Sequence, residues 1–254
     1  MQPDPVAGAG EIRFITDVGA RAITDVEIKT NFEWRDEIGV FAVVRQDPAV
    51  QAYPSTTASS NHMHNVRFVR QYDGSWATAN EERYFFPEDG VVDFYAYYPY
   101  VANAAPNSIP YDASQGNYNL MTSRAVAQNS GNDAVQLTFK HKLALLFAEV
   151  EGQDAVSTMK VEANNGTCNG TLDITKADQD SEFTVGNNRG VVTMDNSLGY
   201  YCAYVPAQAI RQGHQLLVLN DGGDDLLYYA SSNVALTAAS VKKYHVKAVQ
   251  AIAD

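Results

Sequence analysis

Tyr84-Phe85-Phe86-Pro87-Glu88-Asp89-Gly90-Val91-Val92-Asp93-Phe94-Tyr95-Ala96-Tyr97-Tyr98-Pro99 is the stretch that decides the fold. In an extended chain Val92, Phe94, Ala96 and Tyr98 fall on one face, and Val91, Asp93, Tyr95 and Tyr97 on the other. Branched and aromatic side chains suit a pleated, packed surface. Glu88-Asp89-Gly90 before the run and Pro99 after it are turn residues, so the run predicts a strand with defined ends.

The same period of two recurs on both sides. Ile12, Phe14, Thr16 and Val18 share one face of a short strand. Val135, Leu137 and Phe139 alternate with Gln136, Thr138 and Lys140, and this is the cleanest half-buried strand in the chain. Leu172 and Ile174 alternate with Thr171, Asp173 and Thr175. Tyr244, Val246 and Ala248 alternate with Lys243, His245 and Lys247. Asp73-Gly74, Asn165-Gly166, Asn169-Gly170, Asn188-Arg189-Gly190 and Asp221-Gly222-Gly223 supply the positive φ angles of tight turns between runs. No stretch holds a 3.6-residue apolar period over three turns. Short strands at this spacing predict an all-β chain built from β-sandwiches.

Residues 47–65 and 101–119 lack periodicity and read as long surface loops. From Leu143 the loops shorten. A boundary near His141 therefore gives two expected β-sandwich domains, residues 1–140 and 141–254.

The chain has 254 residues, enough to bury a core without metal or disulfides. Its net charge of −12 would repel a polyanion, which argues against nucleic acid and an anionic membrane surface as partners. No apolar run approaches the ~20 residues of a membrane-spanning helix. Met1-Gln2-Pro3-Asp4-Pro5 is polar and does not read as a signal peptide.

No G-x-S-x-G elbow, P-loop, G-x-G-x-x-G or H-E-x-x-H pattern is found, so no catalytic residue and no cofactor is assigned. His62 and His64 share a face of an extended segment but lack a further ligand at metal spacing, and read as polar loop residues. Asp221-Gly222-Gly223-Asp224-Asp225 resembles a calcium loop in composition only and reads as a hairpin turn. Cys168 and Cys202 lie in the second half. They form a disulfide, worth about 3–4 kcal/mol, or else Cys202, among Tyr200, Tyr201 and Tyr204, is a small buried thiol. Asn165-Gly166-Thr167 and Asn169-Gly170-Thr171 match the N-glycosylation pattern but read as hairpin turns.

Several segments together resemble the fimbrillin family of fimbrial surface proteins of Gram-negative anaerobes. Asp36-Glu37-Ile38-Gly39-Val40-Phe41-Ala42 is similar to an early strand of that family. The aromatic stretch from Tyr84 to Pro99 is similar to its most distinctive signature. Asn119-Leu120-Met121 follows a family motif that carries Asp in place of Asn119. Val135 to Leu143, Tyr204-Val205-Pro206-Ala207-Gln208 and Lys243 to Val249 resemble later elements, so the likeness spans about residues 11 to 249.

The resemblance implies two sandwiches of transthyretin-like topology and a structural or adhesive, non-enzymatic subunit of a fimbria. It implies export as an outer-membrane lipoprotein precursor, although the export segment and lipid-attachment Cys are missing from this sequence. The implied partners are other fimbrial subunits and a host or bacterial surface protein or glycan.

Assembly would proceed by strand exchange. The displaced first strand would present Ile12, Phe14, Thr16 and Val18, whose apolar members contribute roughly 5–9 kcal/mol on burial before ordering costs. Arg21 would be the processing site of a trypsin-like protease, or else a solvated turn residue. Tyr244, Val246 and Ala248 mark the candidate donor strand. The alternative is a monomeric cell-surface glycan-binding β-sandwich, with exposed aromatics on one face.

Overall fold

The computed structural model describes residues 10–19, 31–114, 118–151, 158–162, 168–179, 182–185, 191–196, 200–220 and 225–247. Among these residues there is no α-helix; strands and their connections make up the structure, with a short 3₁₀ turn at Ala58–Ser60. The chain is all-β, as the alternation predicts.

Residues before position 142 form β1 (Phe14–Val18), β2 (Glu37–Val44), β3 (Met63–Arg70), β4 (Trp76–Thr78), β5 (Val92–Tyr98), β6 (Ile109–Asp112), β7 (Met121–Gln128) and β8 (Val135–His141). All but β6 join one sheet in the order β1-β8-β7-β5-β2-β3-β4. Its ladders are antiparallel except β1 on β8, which is parallel with Phe14 opposite Val135 and Val18 opposite Phe139.

Later residues form β9 (Ala144–Glu151), β10 (Thr158–Glu162), β11 (Asn169–Leu172), β12 (Phe183–Val185), β13 (Val191–Thr193) and β14 (Tyr201–Val205). They continue with β15 (Gln208–Ile210), β16 (Gln215–Asn220), β17 (Asp225–Tyr229), β18 (Val234–Leu236) and β19 (Val241–Lys247). Their sheets run β13-β10-β16-β17, β14-β9-β19 and β15-β18, while β12-β11-β6 recruits β6 from the first half.

Three apolar clusters lie between these layers. One is built from residues 12 to 139, including Phe14, Phe68, Phe94, Leu137 and Phe139. A second is built from residues 144 to 246. The third spans both halves and contains Phe41, Tyr95, Tyr97, Leu143, Phe147 and Leu172. β8 shows strict alternation of buried and exposed residues, as its sequence predicts. β5 does not: Val92 to Tyr97 are all buried, because Phe94 and Ala96 face the first core while Tyr95 and Tyr97 face the third.

Three expectations about local structure need correction, the first being the loop at 47–65, whose end from Met63, His64 included, belongs to β3. The loop at 101–119 contains β6, whose Ile109 and Tyr111 are buried against β11. Pro110 is tolerated there because β6 is an edge strand, with one side needing no amide donor. Asn169-Gly170 is not a turn but the start of β11, paired on both sides with β6 and β12. Ladder partners on two sides outweigh its local turn preference.

Two motif residues have plain structural reasons. Gly39 lies opposite Tyr97, and a Cβ on it would sit 2.2 Å from the Tyr97 ring. Asp93 is fully buried yet satisfied: its carboxylate accepts two bonds of 2.8 Å from Arg45, one of 2.7 Å from the Ala52 amide and one of 2.8 Å from the Ala127 amide. It thereby pins the 47–55 segment to the sheet.

Candidate assembly site

The N-terminal strand is held in two ways. Residues 10–12 pair antiparallel with residues 84–86, through Ile12 N to Tyr84 O at 2.9 Å and Phe86 N to Gly10 O at 3.0 Å. Beyond them β1 turns onto β8, where the Val135 amide donates to Arg13 O and the Gly19 amide to Phe139 O. β1 is the last strand of its sheet, so β8 is its one ladder partner there.

Ile12, Phe14 and Val18 are buried in the first core, as the alternation predicts, and Thr16 is half-buried on the same face. The Phe14 ring meets Phe68 edge-on at 4.9 Å and Phe94 at 5.6 Å. Thr16 Oγ1 accepts a hydrogen bond of 3.1 Å from the Trp76 indole in β4. This contact joins the two ends of the seven-stranded sheet, so the sheet is rolled until its edges β1 and β4 approach each other. A groove of about 840 Å³ remains between them, lined by Phe14, Ile15, Phe68, Trp76 and Tyr84 among others.

The charge at its mouth is organised. Glu11 accepts from Arg83 Nε at 2.6 Å and from Arg13 at 3.1 Å. The Arg83 hydrogen bond, with Arg13 beside it, holds the Glu11 carboxyl down to a pKa of about 2. Sequence reasoning singles out the four β1 residues but misses Phe68, Trp76, Glu11 and Arg83. Only Trp76 carries a local signal, following the Asp73-Gly74 turn that closes the β3–β4 hairpin.

Arg21, the candidate processing site, lies outside the described residues, as do Asp221 to Asp224 and the donor candidate Ala248. Tyr244 and Val246 belong to β19, an edge strand in a seven-residue parallel ladder on β9, with Val246 buried in the second core. The strands flanking residues 221–224 pair antiparallel, Asn220 opposite Asp225.

Cys168 and Cys202 are free thiols, one packed against the second core and the other against the third. Burial raises the Cys202 thiol to about 11. His62 Nε2 lies 2.8 Å from the Phe85 carbonyl oxygen, and burial lowers its pKa. His64 Nδ1 lies 2.7 Å from the Asn61 side-chain amide. Among the described residues no three His, Cys, Asp or Glu side chains converge as metal ligands.

One further buried polar group joins the halves. The fully buried Glu182 is ion-paired with Arg124 of β7 and with Lys142 at 3.2 Å, and accepts from Thr122 Oγ1 at 3.0 Å. Arg124 also donates to the Ala177 carbonyl at 3.0 Å, so the chain after β11 is fastened to the N-terminal sheet, and Lys142, next after β8, donates to the Gln179 carbonyl at 2.6 Å.

No curated protein matches the chain by sequence. Among solved structures, a candidate cell adhesion protein of Bacteroides uniformis matches at a TM-score of 0.67 and 20% identity, over 96% of this chain and 95% of its own. A second from Bacteroides ovatus matches at 0.62 and 15%, over 94% and 92%. A fimbrial protein of Bacteroides ovatus matches at 0.51 and 15%, covering 95% of this chain but 51% of its own. At such identities the likeness is one of fold. A family model described as fimbrillin-like matches residues 20–251. With nearly its whole length matched, the chain belongs to the fimbrillin-like family.

Proposed function

We propose that this protein is a structural subunit of a cell-surface fimbria, assembled by exchange of its first strand. The observation that carries this reading is the placement of β1. It is an edge strand with one ladder neighbour in its sheet, and its alternate side chains complete an apolar core. Removing such a strand uncovers two things at once: a row of backbone donors and acceptors along β8, and the sockets of Ile12, Phe14 and Val18. An incoming extended segment with matching alternation restores both.

Cleavage after Arg21 would free the strand. Tyr244 and Val246 have the alternation needed in a donor, but β19 must first leave its ladder on β9. The same reading places the subunit outside the cell, exported as a lipoprotein precursor. It takes the fold as two sandwiches of transthyretin-like topology divided near residues 140–141.

Limited trypsin digestion with N-terminal mapping tests it. The expected product begins at Ala22 and forms oligomers that survive mild denaturant. A chain cut first elsewhere, or one that stays monomeric after losing residues 1–21, would sink strand exchange.

A further inference from the structure

In the C-terminal half, β17 (Asp225-Leu226-Leu227-Tyr228-Tyr229) is the last strand of the β13-β10-β16-β17 sheet, with β16 as its one ladder partner there. Its side chains alternate. Leu226 and Tyr228 pack against the second core, while Asp225, Leu227 and Tyr229 face outward, Leu227 being 47% and Tyr229 57% exposed. Leu227 lies opposite Val218, which stands outside that core, so the outer face of the β16–β17 hairpin is apolar at its middle.

An edge strand presents a row of unpaired amides and carbonyls, and folded proteins blunt such rows with charge, Lys above all, or with Pro. Two other edges follow that rule. β19 carries Lys242, Lys243 and His245 on exposed positions, and β6 carries Pro110. By contrast β17 has no Lys, Arg or Pro, and its one charge, Asp225, stands at its first position.

That pattern matches itself when reversed. In an antiparallel pair centred on Leu227, this residue lies opposite Leu227 of the other copy, and Leu226 lies opposite Tyr228. Asp225 then lies opposite Tyr229, so each carboxylate meets a phenol donor and not a second carboxylate. Asn220 Nδ2 donates to Asp225 Oδ1 at 2.8 Å, which leaves Oδ2 for that phenol. A parallel pair in register would set the two carboxylates side by side, which is destabilising. The antiparallel arrangement is two-fold, so it closes at two copies.

We propose that β17 is a self-association edge, through which two copies of this chain pair antiparallel about Leu227. The occupant is a second copy because the strand's one charge and its outward apolar groups are complementary to themselves. Five residues span roughly 17 Å of edge. That contact is narrower than the ~800 Å² each partner gives to a standard interface, so the pair is weak, with a dissociation constant on the order of 100 µM. The inference is independent of strand exchange, since β1 and β19 take no part in it.

Sedimentation equilibrium of the intact chain from about 10 µM to about 1 mM tests it. Reductant is present because Cys168 and Cys202 are free thiols, and residues 1–21 are kept so that the first strand stays in place. The expected result is a monomer–dimer equilibrium. Leu227→Lys and Leu227→Glu should each raise the dissociation constant about tenfold or more, with melting temperatures unchanged because the side chain is exposed. An equimolar mixture of the two variants should dimerise again, since opposite charges then meet at the two-fold axis. A chain that stays monomeric over the whole range would overturn the proposal. So would association as strong in Leu227→Lys as in the unaltered chain, a mixture as monomeric as its components, or growth past the dimer.

Discussion

At the scale of single residues, the aromatic signature is explained by what each position touches. Asp93 looks like an exposed residue of an alternating strand, yet it is a buried anion paired with Arg45 and two backbone amides. Asp93→Ala should destabilise the chain by about 3–5 kcal/mol, because Arg45 would be left buried without its counter-charge. Gly39→Ala should cost about 1–3 kcal/mol, since the new methyl meets the immobile Tyr97 ring. Urea midpoints measure both. The sequence shows that these positions are unusual within a strand, but their partners lie far along the chain, at Arg45 for Asp93 and Tyr97 for Gly39. Alternation reports which face a residue occupies and not what covers that face. For this reason the pattern places Tyr95 and Tyr97 on the face opposite Phe94 without showing that a third core buries them.

At the scale of elements, β8 was legible because one of its faces meets water, so its polar residues mark the pattern. β6 was hidden by Pro110, and the start of β11 by Asn169-Gly170, although the alternation around Leu172 marks its end; in each, pairing decides the conformation against local preference. The first strand was legible in its buried residues but not in its parallel pairing with β8, which is a non-local fact. Phe14→Ala should destabilise the N-terminal sheet by about 3–5 kcal/mol, read by chemical denaturation. The pH dependence of the strand's attachment follows from Glu11. Its folded pKa of about 2 lies below the ordinary 4.5, so its pairing with Arg83 contributes fully above 4.5 and drains away as the pH falls towards 2. Amide exchange at residues 10–12 should therefore lose protection over that window before β5 does, and Arg83→Ala should weaken the dependence, leaving the part due to Arg13.

At the scale of the whole molecule, the halves are joined by a shared core and by the buried group of Glu182, Arg124 and Lys142. No sequence pattern announced that group, since a Glu, an Arg and a Lys in separate segments read as surface residues. Glu182→Ala should cost about 3–5 kcal/mol by leaving two cations buried without their anion, measured as a fall in the urea midpoint. The two thiols should both react with a thiol reagent in denaturant. In the native chain at pH 8 Cys202 should be slow, since at a pKa of about 11 little thiolate is present. The parallel ladder of β1 on β8 also sets an order in time. The β1–β8 ladder cannot form until Val135 to Phe139 have been made and have folded, so β1, although early in sequence, is among the last strands to join its sheet. On the strand-exchange reading proposed above, the molecule in that interval would hold an unfilled place along β8 and a first strand not yet seated in it. On that reading a rival segment arriving then would compete with a tethered strand still searching for its place, a kinetic contest decided before any closed sandwich exists to be reopened.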